Sequence, residues 1–124
     1  MSIDAILEGI VADGPGVLGV ALMDLDGISV AEARGPGAGA LFPDGELSAV
    51  AAEFGRALGE IEKASLSAGG GPMAETVVAL ERFTLVFARL EPGLVLTLAV
   101  GPDGNLGKAR YLIRRNLLEI SQEL

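Results

Sequence analysis

The chain has 124 residues, enough for one domain with one core and too few for a second. Half of the residues are hydrophobic and 21% are charged, which excludes a disordered chain, and no apolar run approaches the roughly 20 residues needed to span a bilayer. A net charge of −8 argues against general nucleic-acid binding, and the lack of histidine and cysteine removes the commonest general base, disulfides and thiolate chemistry. The expectation is a cytoplasmic protein.

Ser2 is placed to cap a first helix in which Ile3, Ile6, Leu7, Ile10 and Val11 recur at helical spacing, stopped by Gly14-Pro15-Gly16. Val17 to Leu25 and Ile28 to Ala33 read as strands joined at Asp26-Gly27, a strong hairpin signal. Arg34 to Gly45 holds four Gly and two Pro and is expected to be the most mobile segment. Glu46 to about Lys63 is the central helix, with Leu47, Val50, Phe54, Leu58 and Ile61 as its apolar stripe and Gly69-Gly70-Gly71-Pro72 as its stop.

From Glu75 the period changes. Thr76 to Leu80, Phe83 to Phe87 and Leu94 to Leu98 are β-rich runs separated by short turns, and Leu106, Ala109, Ile113, Leu117, Ile120 and Leu124 form the stripe of a last helix. The order helix-strand-strand-helix-strand-strand-strand-helix, with tight turns between neighbours, predicts a single α+β domain over 1–124: a five-stranded antiparallel sheet sandwiched by helices.

Chemistry is sparse. Asp24 and Asp26 could form a carboxylate pair, but acidic residues are common in hairpin turns and that plainer reading is preferred. Gly14, Gly16 and Gly19 match a Gly-x-Gly-x-x-Gly spacing; they precede a strand, whereas the dinucleotide fingerprint follows one and opens a helix. Gly104 to Lys108 has neither the spacing nor the hydroxyl of a phosphate loop. No catalytic residue, metal ligand or cofactor site is assigned, and the chain is read as a non-enzyme.

Charge is unevenly spread: residues 1–107 carry 5 basic and 15 acidic groups, residues 108–124 carry 4 and 2. Lys108, Arg110, Arg114 and Arg115 could supply an arginine finger to a nucleotide in trans, but they do not converge on one point and a solvated helix face is preferred.

The central helix is the most informative segment. Gly55 and Gly59 inside it each cost roughly 1 kcal/mol relative to alanine, so something should offset that cost. Ser48, Ala52, Gly55 and Gly59 line up as a seam of small residues that admits another backbone, either this chain's own sheet or a second copy, with the second copy preferred. The consecutive apolar residues of Thr76 to Leu80, Val78 among them, suggest a strand buried on both faces whose edge pairs with its copy. Strand and seam together imply a twofold homodimer.

The block Gly101 to Arg115, above all Asn105-Leu106-Gly107 followed by Lys108-Ala109-Arg110, resembles the Roadblock/dynein light chain superfamily in its prokaryotic MglB-like branch. The likeness covers nearly the whole chain. It implies a homodimer in which the strands Thr76 to Leu80 join two sheets into one and the central helices lie together. It also implies that those helices form a platform for a Ras-like small GTPase, with Glu53, Arg56, Glu60 and Lys63 as contact candidates, and that hydrolysis is stimulated without a donated arginine. An adaptor that anchors a partner without altering hydrolysis would use the same surface, and a sheet covered by helices could also enclose a small ligand.

Overall fold

The computed structural model describes residues 1–26, 28–38 and 47–124. Its elements are α1 (Ile3–Asp13), β1 (Val17–Asp24), β2 (Ser29–Arg34), α2 (Leu47–Ser67), β3 (Glu75–Ala79), β4 (Thr84–Glu91), β5 (Leu94–Val100) and α3 (Leu106–Gln122). The order is the expected one. Gly27 and residues 39–46, which include most of the Gly/Pro-rich segment and the expected helix start at Glu46, lie outside the described residues.

Local chemistry accounts for the boundaries. Ser2 Oγ accepts the amide of Ala5 at 3.2 Å and so caps α1, whose end is closed by the Gly14 amide donating to Ile10 O at 3.0 Å. Asp24 Oδ1 accepts from the amides of both Asp26 and Ile28 at 2.9 Å, folding the β1–β2 turn around one carboxylate. That bond pattern gives Asp24 a turn-forming task. Helix α2 runs one turn beyond Lys63, because nothing in Ala64 to Ser67 breaks it. It ends where the Gly70 amide donates to Ser65 O at 2.8 Å and Gly69 takes φ 78°.

The five strands form one sheet in the order β2-β1-β5-β4-β3, and every neighbouring pair is antiparallel. Side chains alternate across it as the pleat requires. Val20, Leu22, Val86, Ala88, Leu96 and Leu98 meet Ile6, Leu7 and Ile10 of α1 and Ala109, Leu112 and Ile113 of α3. On the other face Ala21, Met23, Leu85, Phe87, Val95 and Ala99 meet Leu47, Ala51 and Leu58 of α2. Both faces of the central strands are therefore covered, which is why β1 and β5 read as nearly continuous apolar runs.

The loop before β1 and the loop before α3 are held together by backbone contact. Gly16 adopts φ 77°, and a Cβ there would stand 2.3 Å from Gly104 Cα, while Gly101 N–H donates to Gly16 O at 2.9 Å. Gly16 thus sits at a crossing of two loops, which only a bare α-carbon allows.

Thr97 lies in the middle of β5, fully buried between Ala21 and Phe87, and its hydroxyl has no hydrogen-bond partner among the described residues. A buried hydroxyl left unpaired is unfavourable by about 1–3 kcal/mol, so Thr97→Val is expected to raise stability by about 1 kcal/mol. Urea denaturation reads this directly. A lowered midpoint would mean that the hydroxyl is paired in solution.

Candidate functional site

The sheet has two edges, and β3 is one of them: it pairs with β4 alone, with Val78 opposite Leu85 and Thr76 opposite Phe87. The expectation that Thr76 to Leu80 is buried on both faces fails within the chain. Val77 is 40% and Leu80 41% exposed, and Thr76 and Val78 are only half-buried. An edge strand has a neighbour on one side, so its apolar residues lack the cover given to those of β1 and β5.

On the α3 side of the sheet, Glu75 fixes the start of β3. Its carboxylate accepts from Arg110 Nε at 2.5 Å and Arg114 Nη2 at 3.5 Å. The carboxylate is mostly shielded while the guanidiniums are more open. Two of the four basic groups of the last helix therefore tie it to the edge strand. Asn105 starts that helix, its Oδ1 accepting the amide of Lys108 at 2.9 Å.

Helix α2 covers the opposite face, and its two flanks differ. Ser48 is buried, its amide donating to Glu32 Oε1 of β2 at 2.9 Å, and a Cβ on Gly55 would stand 1.9 Å from the carbonyl oxygen of Leu25. The close approach that Gly55 permits is thus to its own chain, beside the β1–β2 turn. Ala52 is half-buried on the same side, and Gly59 has open space where a side chain would go.

At 100° per residue Phe54 and Ile61 share the other flank. The Phe54 ring lies 6.0 Å from that of Phe87 in β4, and Ile61 is 41% exposed. The small-residue seam faces β1 and β2, whereas the flank beside β4 and β3 carries bulky apolar side chains. Sequence spacing aligns the seam correctly but does not tell which sheet edge it faces.

Glu53, Arg56, Glu60 and Lys63 are all exposed on the outward ridge of α2. Glu60 and Lys63 form an open ion pair at 3.7 Å, which contributes little to stability in water. A slot under the C-terminal half of α2, lined by Leu25, Leu58, Glu62, Met73, Arg89, Gly93 and Val95, has room for about 20 Å³, enough for one water-sized group. Among the described residues no three His, Cys, Asp or Glu side chains gather as a metal site, and no helix is long and apolar enough to cross a membrane.

No family model and no curated protein matches the chain. Solved structures do. A Roadblock/LC7 domain from Streptomyces avermitilis superposes with a TM-score of 0.79 at 16% identity, covering 98% of this chain and 97% of its own. The chain has the Roadblock/LC7 fold. MglC from Myxococcus xanthus matches at 28% identity and TM-score 0.73 over 100% of both chains. The gliding protein MglB from Thermus thermophilus matches at 19% identity and TM-score 0.81, covering 96% of this chain and 85% of its own. These neighbours agree with the resemblance carried by residues 101–115. In this Roadblock/LC7 fold the outward ridge of α2 and the β3 edge are adjacent surfaces, joined by the flank of Phe54 and Ile61.

Proposed function

We propose that the chain is a dimeric, non-catalytic regulator of a Ras-like small GTPase, acting in the cytoplasm of a bacterium. The observation that carries this reading is the half-covered edge strand β3, with Val77 and Leu80 exposed, beside an α2 flank that exposes Ile61. A second copy paired edge to edge would cover all three and bring two α2 ridges together. Ser48 and Gly55 would then stay within each protomer, while Thr76, Val78, Leu80 and Ile61 meet the partner and Ala52 and Gly59 flank the joint surface. Glu53, Arg56, Glu60 and Lys63 of both copies form the platform. The likeness to MglB and MglC supports a regulator of this type.

Regulation without chemistry requires unequal affinity for the two nucleotide states, since a ligand that binds both equally shifts nothing. The test is single-turnover GTP hydrolysis by the nearest-encoded small GTPase, with and without this protein, together with binding in the GDP and GTP states. GTP-selective binding and faster hydrolysis are expected. Arg56→Glu combined with Lys63→Glu should weaken binding by about tenfold, the scale of losing about 1.4 kcal/mol of contact. Arg114→Ala should leave the acceleration intact, because Arg114 points to Glu75 across the sheet from α2. Equal binding in both states with an unchanged rate would establish the adaptor reading instead, and no binding would overturn both.

A further inference from the structure

Leu80 N–H donates to Phe83 O and Arg89 N–H donates to Ala74 O, both at 2.9 Å, so the even-numbered residues around β3 exchange their backbone bonds with β4. Glu75, Val77 and Ala79 therefore turn their amides and carbonyls to the open edge. Pairing with a second copy about a twofold axis must set such residues opposite one another, which leaves few registers. With Thr76 on the axis, Ala79 falls opposite Met73, outside the strand. With Val78 on the axis, Glu75 falls opposite the partner's Glu81, carboxylate against carboxylate. With Val77 on the axis all three are matched: Val77 meets its own copy, and Glu75 and Ala79 meet each other.

We propose that two copies pair in this register, with Val77 on the twofold axis and Glu81 of each protomer meeting Arg114 of the other. The inference rests on the dimer reading above and adds to it the register and a polar contact. The register brings the β3–β4 turn of one copy level with Pro72 and Met73 of the other, where a hollow of about 350 Å³ opens between β3 and α3, walled by Glu75, Ala88, Arg114 and Leu117. Charge favours a carboxylate there. Arg110 and Arg114 share the single carboxylate of Glu75, and Arg114 is the looser arm, 3.5 Å away and 63% exposed. Arg89, also at the wall, belongs by the pleat to the α2 side, where it lines the slot beneath α2. Glu75 faces α3, and Val77 lies opposite Val86 of the α1 and α3 layer. The same alternation carried past Ala79 sends Glu81 to the α3 side and Arg82 to the other. Both turn residues are exposed, and among the described residues neither forms an ion pair.

The chain has no cysteine, so single substitutions in the full chain report the register. Val77→Cys should give a disulfide-linked dimer under mild oxidation, because a bonded antiparallel pair stands about 5.5 Å apart at Cα, within the span of a disulfide. Thr76→Cys and Val78→Cys should stay unlinked, since each is offset from its own copy by two residues and stands roughly 8 Å from it. Sedimentation equilibrium then tests the ion pair. Glu81→Gln and Arg114→Gln should each raise the dissociation constant about fivefold, a change too small to dissolve a dimer well above that constant. The double variant should rise no further, because both substitutions remove the same contact. Within one chain Glu81 stands roughly 20 Å from Glu75, at the far end of β3, so such coupling acts only between subunits. Linkage by Thr76→Cys or Val78→Cys in place of Val77→Cys overturns the register, as does a dimer by mass that none of the three links. Additive losses overturn the ion pair. A wild-type chain that stays monomeric would instead overturn the dimer reading on which both rest.

Discussion

Gly55→Leu is expected to damage the fold of each protomer, whereas Gly59→Leu, one turn further along the same helix, should leave it intact. A Cβ on Gly55 would meet the Leu25 carbonyl oxygen at 1.9 Å and its carbon at 3.0 Å, and both atoms belong to backbone that also closes the β1–β2 turn. Neither can yield without moving α2 off the sheet. Overpacking of this kind costs roughly 3–5 kcal/mol, a large part of the about 5–15 kcal/mol that holds a small domain together. A fall in melting temperature on the order of 10–20 °C follows.

At Gly59 nothing stands within 4 Å, and the exchange to a better helix former offsets part of any new strain. Ile61→Glu, on the flank beside β4, should likewise keep a native melting curve but lower the mass seen by light scattering, since it would place a charge inside the proposed dimer contact. Differential scanning calorimetry and light scattering on the three variants separate the roles. A stable Gly55→Leu protein would show that α2 does not seat on Leu25. A dimer that survives Ile61→Glu would move the interface away from the β3 side of α2.

Gly16→Ala should be nearly as harmful, for two reasons that add. The residue sits at φ 77°, where an L-residue is strained by roughly 1–2 kcal/mol, and its new methyl would stand 2.3 Å from Gly104 Cα and 2.8 Å from Gly104 N. The loop before β1 and the loop before α3 would have to part, loosening the bond from Gly101 N–H to Gly16 O. A loss of about 2–4 kcal/mol is expected by urea denaturation. Amide exchange should show where it falls: Gly101 and the first turn of α3 should lose protection before the centre of the sheet. An unchanged midpoint would mean that the two loops do not touch in solution.

The relation between sequence and structure differs from one segment to another. The element order is legible throughout, because the change from a helical period to strand runs and the breakers at residues 14–16, 69–72 and 101–104 depend only on local chemistry. Periodicity alone ends α2 a turn short and stops β4 four residues before Glu91, since amphipathic patterns fade before the backbone stops bonding. The turn at Asp24 is legible as a turn, although the two amides it accepts from are not.

What the sequence by itself determined is which side of each helix is apolar and that residues 48, 52, 55 and 59 lie in one seam. What only the tertiary structure decided is what those faces meet. Helical periodicity is a property of one element and carries no information about its rotation relative to a sheet, so the seam could point to a second copy or to Leu25 with the same spacing. Arg110 and Arg114 likewise find Glu75 across 35 and 39 residues, a separation no local pattern encodes. The exposure of Val77 and Leu80 follows from the position of β3 at the end of the strand order, which depends on how all five strands pair at once.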